Sequence, residues 1–160
     1  MDVNAGDLHN GPMVFWRLHY HLVWATTQRL PLIDDAAESV IRESIEMTIS
    51  RMKLIPHAVR MVDDHVHVLV SIPPTLTVAE VTGRMKGASS HAVNQRSDTK
   101  SFGWQSEYGA LSFSDHGIPH VTAYVERQRE HHANQTTLRA LEMISPPEQV
   151  AVHSDLPPEP

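Results

Sequence analysis

Residues 65–72, HVHVLVSI, alternate between two kinds of side chain. Successive side chains of a β-strand point to opposite faces of a sheet, so the valines share one face and the histidines share the other. Pro73 and Pro74 end the run, because proline cannot donate a backbone hydrogen bond to a neighbouring strand. The stretch therefore predicts a strand with its valines in the core. His65 and His67 then project together from the opposite face, about 7 Å apart at Cα.

The segments on either side of this strand predict an α+β fold. Strand-like runs lie at 17–26, 57–62 and within 102–114, and helical stripes lie at 35–52, 77–96 and 118–133. Two capping-box pairs mark helix starts: Asp35 with Glu38, and Thr77 with Glu80. The order β-α-β-β-α-β predicts the ferredoxin-like (split β-α-β) arrangement, an antiparallel sheet with two helices on one face. A C-terminal helix that carries Tyr124 is left over.

Length and composition predict one globular domain. The chain has 160 residues, 41% of them hydrophobic, and no cysteine, which excludes disulfides and thiolate metal sites. No apolar run could span a membrane, and the acidic N-terminus is unlike a signal peptide, so we expect a cytoplasmic protein without membrane contact. We expect a flexible N-terminus at 1–14, one domain at 15–141 and a disordered, proline-rich acidic tail at 142–160.

The net charge of −6 disfavours nucleic-acid binding, because phosphate contacts call for a basic surface. The acids are unevenly placed, however. Residues 1–10 and 142–160 contain six acids and no Lys or Arg, and the remaining body has 13 acids against 13 bases. The body is therefore neutral, and the excess negative charge lies in the tails.

The C-terminal helix offers a third metal ligand. Tyr124 and Gln128 are four residues apart and so share a helix face. If that helix covers the histidine face of the sheet, Gln128 Oε1 joins His65 and His67 around a cation, with the Tyr124 hydroxyl nearby. Two imidazoles and an amide oxygen suit Mg²⁺ or Mn²⁺ holding a phosphate. The alternative is that the histidines are incidental and Tyr124 only packs.

Asp63 and Asp64 precede the strand as turn formers or as partners that orient the imidazoles. Motifs of other enzyme classes are missing. The chain has no His-Glu-x-x-His zinc motif, no Gly-x-Ser-x-Gly elbow, and no pair of His-x-Thr/Ser tripeptides. It also has no phosphate-binding P-loop and no dinucleotide glycine motif, so we expect no nucleotide cofactor.

Four blocks in order, DDHVHVLVSIP, MKGASS, WQSEYGALSFS and YVERQREHH, carry a family resemblance. Together with YHLVWATTQRLPLI they resemble the small single-tyrosine HUH transposases of bacterial insertion sequences, including the REP-associated tyrosine transposases. The resemblance runs from about Tyr20 to His132. Asp63 stands where the family commonly has proline.

The resemblance implies a function and a role for each matching residue. It implies metal-dependent cleavage and rejoining of single-stranded DNA at element ends through a 5′-phosphotyrosine. Tyr124 matches the nucleophile, and His65, His67 and Gln128 match the ligands of a divalent metal, Mg²⁺ or Mn²⁺. It further implies single-stranded or hairpin DNA as partner, and a homodimer in which the tyrosine helix acts in trans.

DNA contacts are predicted on the second helix and the following aromatic segment: Arg84, Lys86, Ser89 and Trp104. Trp16, Trp24, Phe102 and Tyr108 are further candidates for base stacking, although aromatic residues on strands more often belong to the core. Two alternatives to a transposase stay open. One is a host-domesticated nickase that acts on palindromic repeats, and the other is a non-catalytic ferredoxin-like nucleic-acid-binding module.

Overall fold

The computed structural model describes residues 14–144, so most of the predicted flexible N-terminus and most of the predicted tail lie outside the described residues. The strands are β1 His19–Ala25, β2 Ile55–Met61, β3 His65–Ser71 and β4 Gly109–Phe113. The helices are α1 Asp35–Arg51, α2 Val78–Arg96, α3 Ile118–Glu126, α4 Gln128–Ala133 and α5 Arg139–Glu142. Short 3₁₀ turns occupy Thr27–Arg29 and Asp115–Gly117.

The four strands form one antiparallel sheet in the order β2-β3-β1-β4. The predicted α+β class is therefore confirmed, and the strand order is compatible with the ferredoxin-like arrangement. β3 lies in the middle of the sheet, between β2 and β1. In its register with β1, His65 lies opposite Ala25 and His67 lies opposite Val23.

One face of the sheet packs against α1 and α2. Val66, Val68 and Val70 of β3 belong to a single apolar cluster with Ile41 and Ile45 of α1 and with side chains of α2. The predicted valine face is thus the core face. Helix α2 begins at the predicted cap, since Thr77 accepts a hydrogen bond from the Glu80 N–H. The cap of α1 was predicted one residue late: Asp34, not Asp35, accepts from the Ala37 N–H.

The other face of the sheet is covered by the C-terminal helices. Leu69 of β3 packs with Tyr124 and Val125 of α3, and Ile144 packs on Val23 and Ala25 of β1. The histidines of β3 are therefore buried under a second layer. In the part of the chain that the structure describes, no helix is long and apolar enough to cross a membrane.

The predicted single helix at 118–133 is wrong in one respect, because it is broken at Arg127. The backbone of Arg127 has φ −98° and ψ 19°, outside the helical region, and its N–H bonds to the Tyr124 carbonyl at 3.2 Å. That bond spans three residues instead of four and tightens the last turn of α3. Tyr124 therefore ends one helix and Gln128 begins the next.

Candidate active site

The two histidines of β3 lie at the centre of the site. His65 and His67 are 1% and 0% exposed, and their ring centroids are 4.9 Å apart. The Nε2 atom of each ring points at the same carboxylate, with Glu142 Oε2 lying 3.2 Å from His65 and 3.5 Å from His67. The strand thus delivers two imidazole nitrogens to one point, as its alternation predicts.

The Nδ1 atoms of the same two rings have partners on the side away from Glu142. His65 Nδ1 lies 2.5 Å from Asp64 Oδ1, and His67 Nδ1 lies 2.8 Å from Nε2 of His21 on β1. Burial, followed by the neighbouring His67, lowers the pKa of His21 to about 3. Both partners bind Nδ1, so the Nε2 atoms of the site histidines stay available to a ligand. Asp64 therefore makes the contact expected of a residue that orients an imidazole, which is one of the two roles predicted for it.

Tyr124 reaches the same carboxylate from α3. Its hydroxyl donates to Glu142 Oε1 at 2.6 Å and accepts from the Leu138 N–H at 2.9 Å. Its ring stacks on His131 with 4.6 Å between centroids. Burial and then the Glu142 carboxylate raise the pKa of Tyr124 to about 12, against the lowering effect of the Leu138 bond. One acidic side chain therefore joins the phenol to both imidazoles.

Gln128 is 1% exposed and lies beside Tyr124 in spite of the helix break. Its Nε2 donates to Glu142 Oε1 at 2.5 Å. Its Oε1 is buried and has no hydrogen-bond partner among the described residues, which is also true of Nε2 in His65 and His67. Buried polar atoms are normally hydrogen-bonded, so three potential ligand atoms that lack a hydrogen bond fit a bound cation. The predicted ligand atoms therefore suit a divalent metal ion.

Sequence reasoning missed Glu142 and gave His132 no role. The tail was predicted to begin at 142, yet Glu142 ends α5 and lies inside the site. His132 Nε2 is 3.6 Å from Glu142 Oε2, and His65, His67, His132 and Glu142 each offer a ligand atom within 4.8 Å of the others. The sequence holds one weak signal, the apolar Leu141 and Ile144 on either side of the carboxylate.

Neighbouring side chains stabilise the negative charge of the Glu142 carboxylate. Burial acts to raise the pKa of its carboxyl, but contacts with His65, His67 and Tyr124 outweigh burial and hold the pKa well below its usual range. Burial also acts to lower the pKa of His65, and the carboxylates of Asp64 and Glu142 outweigh it, so the pKa of His65 is raised. The pKa of His67 is lowered, mainly by burial. An ionised carboxylate therefore faces the imidazole nitrogens.

The chain matches a known protein family. The model of the IS200-like transposase family matches residues 14–128 of this chain. The chain belongs to that family. The resemblance seen in the sequence is thereby confirmed, and the chain is a transposase that acts on DNA.

Relatives of this IS200-like transposase cover most of its length. The ISDra2 transposase TnpA of Deinococcus radiodurans is 22% identical over 130 residues, 78% of this chain and 93% of the relative. A crystal structure from Deinococcus radiodurans R1, described as that of a transposase, matches with a TM-score of 0.59 and 23% identity over 76% of this chain and 98% of that one. The structure of a REP-associated tyrosine transposase bound to a REP hairpin matches with a TM-score of 0.58 and 12% identity. The match covers 78% of this chain and 74% of that one. At these identities the two structures show the shared fold.

The residues predicted to contact DNA have structural partners in this transposase. Lys86 donates to the carbonyls of three successive residues, Gln105, Ser106 and Glu107. Ser89 is buried and accepts from the Trp104 indole at 3.0 Å. Arg84 is exposed and pairs with Glu80. DNA contact by these four residues stays a prediction, and Arg84 is the one with an exposed charge.

The aromatic candidates for base stacking pack mainly into the protein. Trp24 is fully buried in the core, and Phe102, Trp104 and Tyr108 pack against that core while keeping part of their surface. Trp24 is therefore a core residue, as the alternative reading expected.

A titration of the transposase checks the environment of Tyr124. The chain has three tyrosines, and the difference in tyrosinate absorbance between wild type and Tyr124→Phe is expected to have a midpoint near pH 12. Glu142→Gln is expected to lower that midpoint, since it removes the negative charge beside the phenol. Because the folded pKa lies above the unfolded value of about 10, the contribution of Tyr124 to folding stability is present below pH 10 and is lost towards pH 12. A wild-type midpoint near 10 contradicts the burial of the phenol.

Proposed function

We propose that this transposase cleaves and rejoins single-stranded DNA, with Tyr124 as the nucleophile and a divalent metal ion at His65, His67 and Gln128. One observation carries the proposal. A single carboxylate touches the Tyr124 hydroxyl at 2.6 Å and approaches Nε2 of both histidines at 3.2 and 3.5 Å. A phosphate bound at the imidazoles is therefore within reach of the phenol oxygen.

The reaction needs little beyond these groups. The Tyr124 hydroxyl passes its proton to Glu142 Oε1, to which it donates at 2.6 Å, as its oxygen attacks phosphorus. The new bond to phosphorus forms as the bond to the 3′ oxygen breaks, and that oxygen takes up the proton and leaves as a 3′-OH. The product is a 5′-phosphotyrosine. A 3′-OH of another strand reverses the step and releases the tyrosine. One phosphodiester replaces another, so rejoining needs no nucleotide cofactor, in keeping with the absence of a P-loop motif.

The side chains around the reacting atoms have separate tasks. When bound, Mg²⁺ or Mn²⁺ supplies stabilisation of the charge that develops on the phosphate oxygens. Asp64 and His21 hold the two imidazoles in the orientation that turns Nε2 towards Glu142. The Leu138 N–H and Glu142 fix the direction of the Tyr124 hydroxyl.

Within one chain, the Tyr124 hydroxyl contacts Glu142, and that carboxylate faces His65 of the same chain. A homodimer with the tyrosine helix acting in trans stays a prediction.

The test is formation of a covalent protein–DNA adduct. The full chain is incubated with single-stranded oligonucleotides that carry hairpins, the DNA form bound by the REP-associated structural neighbour, in Mn²⁺ or Mg²⁺. We expect an adduct that survives denaturing electrophoresis and maps to Tyr124 by peptide mass spectrometry. Chelation of the metal is expected to abolish it, and fully paired duplex is expected to give none. DNA affinity without any adduct, equal with and without metal, favours the non-catalytic binding module instead.

A further inference from the structure

The last residues of the described chain bring two additional donors to the imidazoles. We propose that Glu142 and His132 are metal ligands, so that three imidazole nitrogens and one carboxylate oxygen hold the cation beside Gln128 Oε1. This inference rests on the proposed metal-dependent function and deepens it, because it names two ligands beyond the three that the family resemblance implies. It also predicts which class of metal ion the site prefers.

The geometry places all four donors around one point. Glu142 Oε2 lies 3.2, 3.5 and 3.6 Å from Nε2 of His65, His67 and His132, and one ligand atom from each residue lies within 4.8 Å of the others. The His65 and His132 rings are 4.9 Å apart at their centroids. Atoms bound to a common ion at about 2.1 Å lie roughly 3 to 4 Å from one another. Small side-chain shifts are therefore sufficient to close the four donors on an ion.

The two oxygens of Glu142 have different surroundings. Oε1 accepts from the Tyr124 hydroxyl at 2.6 Å and from Gln128 Nε2 at 2.5 Å. Those two bonds fix the carboxylate and turn Oε2 towards the imidazoles. A ligand oriented by hydrogen bonds through its other atom is the usual design of a metal-binding carboxylate. The Glu142 side chain is only 18% exposed, so most of it is enclosed by the residues of the site.

The backbone that follows Glu142 is fitted to the sheet. Met143 O passes so close to Gly109 of β4 that an added Cβ would lie 1.9 Å from it and 2.9 Å from Val23 Cγ1. Ile144 is buried on Val23 and Ala25. Only glycine at 109 allows this approach, so the position of Glu142 depends on contacts made by β4 and β1.

The donor set predicts the metal. Mg²⁺ prefers oxygen ligands and keeps several waters, whereas imidazole nitrogen suits first-row transition ions. Three imidazoles and one carboxylate therefore favour Mn²⁺ or a later transition ion over Mg²⁺. We expect the DNA-free protein to bind Mn²⁺ at least about tenfold more tightly than Mg²⁺.

Isothermal titration of Mn²⁺ into the full-length, DNA-free protein tests the ligands without any reaction. Glu142→Gln and His132→Ala are each expected to weaken Mn²⁺ binding by at least about tenfold. Glu130→Gln makes the same chemical change at an exposed position on α4 and is expected to leave affinity within about twofold. Gly109→Ala keeps Glu142 but displaces its backbone, and it is expected to weaken Mn²⁺ binding as well. Circular dichroism confirms that each variant is folded.

The outcomes separate this inference from the proposed function. If Glu142→Gln binds Mn²⁺ as tightly as wild type or more tightly, while His67→Asn does not bind it, Glu142 merely occupies the site and the inference fails. If His67→Asn retains Mn²⁺ affinity, the metal site of the proposed function fails as well. Equal affinity for Mn²⁺ and Mg²⁺ overturns the inferred donor set.

Discussion

Replacing Tyr124 with phenylalanine is expected to reduce covalent protein–DNA adduct by at least about a thousandfold, because the variant lacks the attacking oxygen. The phenylalanine ring keeps the stacking on His131 and the packing against Leu69 and Val125. The hydroxyl's bonds to Glu142 and Leu138 are lost, which costs about 1 kcal/mol of stability. Adduct is measured by denaturing electrophoresis of end-labelled single-stranded DNA, and DNA affinity is measured separately by fluorescence anisotropy.

Tyr108→Phe is the matched control. Tyr108 is half-buried, lies 5.9 Å from the Lys86 ammonium, and has no contact with the site histidines among the described residues. It makes the same chemical change outside the site and is expected to keep the adduct at wild-type level. DNA affinity is expected to stay within a few-fold in both variants. An undiminished adduct in Tyr124→Phe means that another group attacks, and the assignment of the nucleophile is then wrong.

The fold was predictable because its signals are local. The alternation at 65–72 requires a strand with two unlike faces, and the apolar stripe at 35–52 requires a helix of the observed length. The sequence order of these elements then leaves few topologies. The helix break at Arg127 was not predictable from periodicity, because no proline or glycine marks it. Tyr124 and Gln128, one on each side of the break, both contact the Glu142 carboxylate.

The centre of the site was predictable and its edge was not. His65 and His67 are recognisable from their alternate positions on one strand. Glu142 is distant from them in sequence and lies in a four-residue helix. Such a helix has no periodicity to detect, and an acid in a charged, proline-rich tail resembles any solvated acid. The partnership of His67 with His21 depends on the register of β1 and β3, which no local pattern specifies. Long-range contacts of this kind need the folded structure.

The type of a residue does not specify its role, as two of the residues predicted to contact DNA show. Lys86 was chosen for its charge, yet its ammonium donates to three backbone carbonyls, and burial lowers its pKa. Trp104 was chosen for its ring, yet its indole donates to Ser89. Composition alone cannot distinguish a side chain that organises a loop from one that meets a ligand.

Removing a site imidazole is expected to have the second largest effect. His67→Asn keeps an N–H close to the Nδ1 position, so the hydrogen bond to His21 is retained, but it lacks Nε2. We expect loss of Mn²⁺ binding and a fall in adduct of at least about a hundredfold, because the charge on the phosphate oxygens is no longer offset. The readouts are Mn²⁺ titration, adduct yield and the thermal midpoint with and without Mn²⁺. Wild type is expected to gain about 2.7 kcal/mol at a metal concentration of 100 Kd, and the variant to gain none.

His120→Ala is the control for a general effect of losing a histidine, since His120 is exposed on α3. It is expected to retain Mn²⁺ binding, the metal-induced rise in the thermal midpoint and the adduct. The comparison between the two variants isolates the Nε2 atom of His67. Both proteins lose one imidazole, but only His67→Asn loses a buried ring nitrogen that has no hydrogen-bond partner among the described residues. Stabilisation by Mn²⁺ that persists in His67→Asn at the wild-type level places the metal elsewhere, and the proposed metal site at His65 and His67 is then wrong.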